Sequence, residues 1–133
     1  LNENNFISFQ KTFEEIKDDN DWDLITLTPR GKTEKKNFKN NFHRITDTQT
    51  ATGYIIKHDF IRKLLPYLQC GLWLLMNGAP AIKGINDQSW KPLQLKSNFL
   101  YYDKIFAGQR PGYSDIEKQM VNYNGRFIDQ NHY

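Results

Sequence analysis

The stretch Ala51-Thr52-Gly53-Tyr54-Ile55-Ile56-Lys57-His58-Asp59-Phe60-Ile61-Arg62-Lys63-Leu64-Leu65 changes its hydrophobic period midway. From Ala51 to Lys57, Tyr54, Ile55 and Ile56 form a short aromatic and β-branched run, which predicts a strand. After Lys57 the apolar residues fall at Phe60, Ile61, Leu64 and Leu65, with Leu68 following, which is one face of a helix. Asp59 lies near that helix's positive end and Arg62 and Lys63 come later, as the helix dipole prefers. Pro66 is expected to end or bend it. A strand feeding a helix is the unit of an α/β fold.

The same reading extends in both directions. Upstream, Phe6, Phe9, Phe13 and Ile16 are spaced as one helical face, so a helix is expected over 5–17. Asp18-Asp19-Asn20-Asp21 breaks it, and Trp22-Asp23-Leu24-Ile25-Thr26-Leu27 reads as a strand closed by Pro29 and Gly31. Residues 30–44 are polar and patternless and read as a loop. Downstream, Asn77-Gly78 and Pro80 mark turns, and Asn86 or Asp87 caps a short helix through Trp90, bounded by Pro92. Phe99-Leu100-Tyr101-Tyr102 and Ile105-Phe106 read as strand. From Gly108 a Gly/Pro loop, a short helix over Ser114 to Tyr123 and a polar tail complete the chain. The strands within Asp23 to Ile56 are expected side by side in a mixed sheet, with helices 5–17 and 58–65 packed on it.

The 133 residues suit one domain or a fragment of one, and a chain opening on Leu1 rather than Met reads as a fragment. Cys70 is the only cysteine, which excludes an intrachain disulfide and a thiolate zinc cluster. Placed between Leu68 and Leu72, it is expected to be a buried structural thiol. No apolar run reaches the roughly 18–20 residues of a membrane span, and no leader pattern is present. The compartment is left unassigned; a lone cysteine is compatible with cytoplasm. Arg30, Lys32, Lys35, Lys36, Lys39 and Arg44 cluster in a chain of only +3 formal charge. They read first as a solvated, mobile loop and second as a phosphate or polyanion contact. Only Phe38 and Phe42 interleave with them, too few stacking aromatics for a nucleic-acid interface, so no nucleic-acid partner is expected.

Asp21-Trp22-Asp23 has the letters of a divalent-metal motif. It opens a strand, where Asp21 and Asp23 share one face and Trp22 takes the other, whereas α/β sheets gather ligands at strand carboxyl ends. It reads as a solvated turn. His43, His58 and His132 show no i, i+4 pairing and no nearby carboxylate partner, so each reads as a surface residue. No nucleophile elbow and no glycine-rich phosphate loop occurs. Two stretches carry more. Ile85-Asn86-Asp87-Gln88-Ser89-Trp90 places a carboxylate at a helix start with an indole one turn on, a pairing that suits a sugar's C–H face and hydroxyls. Asp87 as a simple cap explains it equally. Gln109-Arg110-Pro111-Gly112-Tyr113-Ser114-Asp115-Ile116, with Glu117, is a loop followed by a capping pattern, and capping alone also accounts for it.

In their order, these pieces resemble the family 25 glycosyltransferases, which include collagen galactosyltransferases and lipopolysaccharide glycosyltransferases. The resemblance runs through Asp21-Trp22-Asp23-Leu24, Thr52-Gly53-Tyr54-Ile55-Ile56, Arg62-Lys63-Leu64-Leu65, Gly84-Ile85-Asn86-Asp87 and Gln109 to Glu117, covering roughly residues 6–124. It implies the C-terminal half of a GT-A-type, Rossmann-like mixed sheet with flanking helices. It also implies transfer of a hexose from a nucleotide diphosphate sugar to a hydroxyl of a glycan or collagen-like acceptor. Manganese is the cofactor implied for a complete domain, with no metal ligand in this chain. Asp87 is then the catalytic base or hydroxyl acceptor. Trp90 packs the sugar or acceptor, and Gln109, Ser114 and Asp115 line the donor side or fix a closing loop.

The chain departs from the family in two places. Ile85-Asn86-Asp87 stands where the family has Pro-Val-Asp or Pro-Ile-Asp. The family's Glu-Asp-Asp metal motif, which precedes the first helix, is not among these residues. The rival class is a non-catalytic module that binds a glycan or a protein, derived from such a domain.

Overall fold

The computed structural model describes residues 2–49 and 51–122, and of residues 31–36 the backbone alone. Strand β1 (Leu24–Thr26) pairs antiparallel with β4 (Tyr54–Ile56), Leu24 opposite Ile56, and parallel with β5 (Phe99–Tyr102), Leu24 opposite Phe99. Beyond β5 lie β3 (Phe42–Thr48) and β2 (Gly31–Lys39), each antiparallel to its neighbour. The result is a five-stranded mixed sheet in the order β2-β3-β5-β1-β4. The expected adjacency of the strands between Asp23 and Ile56 is present, in the β1–β4 pair.

Successive strand residues point to opposite faces, and here each face has its own core. Ile25, Leu100, Tyr102 and Phe42 meet Phe9 and Ile16 of helix α1 (Glu3–Ile16). Leu24, Phe99, Tyr101 and Ile45 meet Phe60 and Leu64 of helix α2 (His58–Met76), together with Trp90 and Leu93. The sheet therefore lies between helices, as the alternation of strand and helix implies. Asn2 caps α1, its side chain accepting from the Asn5 amide at 3.2 Å. Asn5 Nδ2 donates to the Ile105 carbonyl at 2.9 Å, tying the start of α1 to the segment after β5.

Several expectations are corrected. Residues 30–44 are not a loop: they form most of the β2–β3 hairpin, turned at Asn40 and Asn41, both at positive φ (47° and 65°). Asparagine tolerates that region, and the pair supplies the primed turn that two-residue hairpins require. Pro66 does not end α2, which continues ten residues beyond it to Met76. Phe60 and Leu64 before the proline and Gly71 after it lie on one buried face. That burial offsets a proline cost of about 3 kcal/mol. Cys70, next to inward Gly71 but on the outer side, is exposed rather than buried. Ile105 and Phe106 carry no strand pairing. Ser114 to Tyr123 is not a helix: β6 (Gly112–Ser114) and β7 (Gln119–Val121) form a separate hairpin, while Tyr123 lies outside the described residues.

After α2 come three one-turn helices, α3 (Ala81–Gly84), α4 (Asn86–Ser89) and α5 (Lys91–Gln94). Helices α3 and α4 pack on α2 at glycine contacts, whereas α5 packs against β3. A Cβ on Gly71 would lie 2.6 Å from the Gly84 carbonyl oxygen and 2.0 Å from Ser89 Oγ, so only glycine permits this approach. Ser89 Oγ donates in turn to the Gly84 or Ile85 carbonyl, each 3.0 Å away. This close packing fixes where α4 presents Asp87.

Candidate functional site

Asp87 sits on α4 at the wall of a cleft of about 490 Å³. Gln109 and Ser114 line the same cleft, as do Arg30, Thr52 and Glu117. Three of the residues singled out from the sequence are thus brought together from segments far apart in the chain. Arg30 arrives from the approach to β2, Thr52 from before β4 and Gln109 from the segment after β5. Thr52 Oγ1 donates to Gln109 Oε1 at 3.4 Å across two of those segments. The lining mixes amides and hydroxyls, which can exchange hydrogen bonds with a polyhydroxylated ligand, with apolar side chains such as Ile82, Ile85, Ile116 and Val121.

Asp87 does not cap α4. The residue in the cap position is Ile85, and the Asn86 side chain accepts from the Asp87 amide at 2.8 Å. Asp87 Oδ1 is buried and has no hydrogen-bond partner among the described residues. Burial raises the Asp87 pKa above the ordinary carboxylate value. Its own backbone amide opposes that rise, as do the positive charges of Lys91 and Arg30. Lys91 is itself held by Asp47 at 2.8 Å. A half-buried carboxylate with a raised pKa and an unused oxygen is suited to accept a proton from a ligand hydroxyl.

The other singled-out residues lie elsewhere. Trp90 is only 1% exposed and sits in the core, so it presents no face for a sugar ring. Its Nε1 donates to the Thr48 carbonyl at 3.2 Å, and buried Gln94 clasps the same residue, donating to its carbonyl at 2.9 Å and accepting from its amide at 2.8 Å. Those bonds close the end of β3 with side chains. Asp115 is exposed in the β6–β7 turn and is not part of the cleft lining. Ser114 Oγ accepts from the Glu117 amide at 3.1 Å, so the capping pattern is realised in a hairpin turn.

Asp21-Trp22-Asp23 is only in part the solvated turn expected: Asp21 is exposed in a bend, while Trp22 and Asp23 form a structural clamp. Trp22 is 3% exposed and donates from Nε1 to the Ile16 carbonyl at 2.8 Å. Asp23 Oδ2 accepts from the Asn98 amide at 2.8 Å, and Asn98 Nδ2 donates to the Asp21 carbonyl at 2.9 Å. This donor set does not fit a metal, and no three His, Cys, Asp or Glu residues come together as ligands among the described residues. His43 is half-buried rather than a free surface residue, its Nε2 3.4 Å from Asp103 Oδ2, and exposed His58 faces Asp59. His132 lies outside the described residues.

Of the basic cluster, Arg30 lines the cleft, Lys39 pairs with Asp19 at 2.6 Å and Arg44 donates to the Ser97 carbonyl at 3.4 Å. The side chains of Lys32, Lys35 and Lys36 lie outside the described residues. The sequence does not mark Thr52 as a site residue and offers Arg30 only within the basic cluster, as a phosphate or polyanion contact. The pairing of distant segments brings both to the cleft.

No protein-family model, curated protein or solved structure matches the chain. What fold and site define is a mixed α/β domain with a cleft of mixed polar and apolar lining beside one under-bonded carboxylate.

Proposed function

We propose that this chain is part of a glycosyltransferase, contributing the acceptor side of a GT-A-type domain. The reaction is transfer of a hexose from a nucleotide diphosphate sugar to a hydroxyl of a glycan or collagen-like acceptor. The observation that carries this reading is Asp87: a half-buried carboxylate, under-bonded, on the wall of a cleft whose mixed lining includes amides and hydroxyls. Its role is to take the proton of the acceptor hydroxyl. The freed oxygen bonds to the sugar's anomeric carbon, and the bond to the diphosphate breaks with its electron pair on the leaving group. Burial favours this role by raising the carboxylate's basicity toward the working pH. Gln109, Ser114 and Thr52 offer hydrogen bonds to sugar hydroxyls, and Arg30 and Arg110 offer positive charge for the donor's phosphates. Manganese would offset the leaving diphosphate's charge, held by carboxylates that these residues do not supply.

The test is Asp87→Asn in the intact protein, assayed for hexose transfer with melting followed on the same preparation. Turnover is expected to fall by at least about 100-fold, the low end for a general base. Folding should persist, since the amide keeps the carboxylate's shape. Activity within about threefold of the parent would remove Asp87 from the chemistry. Glycan binding by a parent protein that shows no transfer would favour the non-catalytic module instead.

A further inference from the structure

Helix α2 buries one side, through Phe60, Leu64 and Gly71. Its opposite side should be polar in a helix whose outer face meets water alone. Instead Ile61, Leu65, Leu72, Trp73 and Met76 are exposed, with Leu72 at 57%, Trp73 at 62% and Met76 at 78%. At 100° per residue the five occupy roughly a third of the circumference, along about 20 Å of helix. Ile82, on the one-turn helix packed at the Gly71–Gly84 contact, is exposed as well. The charge pattern is equally one-sided. Helices α2 and α3 carry Arg62, Lys63 and Lys83, all exposed, against a single carboxylate, the exposed Asp59 in the first turn of α2.

We propose that this outer face of α2 docks on an anionic lipid bilayer. Leucine, tryptophan and methionine side chains on a convex helical ridge can enter the headgroup–acyl boundary, where the amphipathic indole is favoured. Arg62, Lys63 and Lys83 meet the negative surface potential and outnumber Asp59, the one carboxylate of α2 and α3. Among the described residues no helix is long and apolar enough to cross a membrane, so the mode is lying on the surface. A single helix flank offers a ridge rather than a groove, a shape that suits a flat deformable surface better than an inserted peptide. Ile82 also lines the Asp87 cleft, so docking would bring one wall of that cleft to the bilayer. The inference stands independently of the sugar-transfer reading.

The chain has three tryptophans, and Trp22 and Trp90 are buried, so Trp73 is the indole whose fluorescence reports contact with lipid. The full chain is mixed with vesicles of phosphatidylcholine alone or with about one third phosphatidylserine, then sedimented. Retention on the anionic vesicles is expected to exceed that on neutral ones by about tenfold and to weaken at high salt. A blue shift of Trp73 emission should accompany it. Leu72→Ser with Trp73→Ser, both at exposed positions, should abolish retention while leaving the melting temperature near the parent's. Arg62→Gln with Lys63→Gln and Lys83→Gln should remove the preference for anionic lipid. Equal retention on both vesicles, or retention unchanged in the Leu72→Ser, Trp73→Ser protein, would overturn the proposal. So would self-association that the same pair of substitutions abolishes in a chain that ignores vesicles, since the face would then be a protein interface.

Discussion

Two carboxylate–tryptophan neighbourhoods lie in this protein, Asp21-Trp22-Asp23 and Asp87-Gln88-Ser89-Trp90, and they differ in what the carboxylate lacks. Both indoles are buried, and both donate to a backbone carbonyl, Trp22 to Ile16 and Trp90 to Thr48. At the first, Asp23 completes a clamp on Asn98, and its oxygen is bonded to a backbone amide. At the second, Asp87 keeps an oxygen that no described residue satisfies, in the wall of a cleft. The first has the letters of a divalent-metal motif, and the second has an unsatisfied carboxylate oxygen in a cleft wall. An unsatisfied oxygen alone does not mark a site: Asp103 has one too, but its other oxygen faces His43. Access to a cleft together with the missing bond is what sets Asp87 apart.

The largest expected effect tests the likeness between the two. Trp22→Ala and Trp90→Ala should each destabilise the fold by about 3–5 kcal/mol, the usual cost of removing a buried aromatic. Chemical denaturation measures it. A loss below about 1 kcal/mol for Trp90→Ala would mean that the indole is a surface platform after all.

The next effect tests the difference. Asp23→Ala should cost about 1–2 kcal/mol, because it leaves the Asn98 amide without its charged acceptor at a half-buried position. Asp87→Asn should cost nothing measurable in the same assay. Similar losses from both substitutions would erase the contrast and make Asp87 structural.

The smallest effect is a pH dependence. Burial raises the folded-state pKa of Asp87, so the folded chain holds that proton more tightly than the unfolded chain does. Its contribution to stability is therefore complete below the unfolded value and is lost as pH rises through the folded one. Asp87→Asn should then melt slightly higher than the parent at neutral pH, with the gap closing as pH falls toward the ordinary carboxylate value of 3.8. A gap that widens on acidification would reverse the sign and show that the charged form is the one the fold stabilises.

By itself the sequence determined the elements whose pattern is local. The α1 stripe Phe6, Phe9, Phe13 and Ile16, the runs that became β1, β4 and β5, and the start of α2 all followed from side-chain spacing, because burial of one face is imposed at that spacing. The sequence also marked Asp87, Gln109 and Ser114 as candidates, though not that they meet. Tertiary structure decided the rest. The β2–β3 hairpin was illegible because β2 is a polar edge strand and β3, although inside the sheet, buries Phe42, Ile45 and Thr48 at three-residue steps that break the strand period. Its local turn sign is Asn40-Asn41. Whether α2 survived Pro66 depended on the core lying beyond it, and Trp90 went inward because the end of β3 offered its indole an acceptor. Arg30 and Thr52 entered the cleft only when segments far apart in the chain came together around Asp87. Periodicity reports which way a side chain faces; only the packed chain decides what it faces.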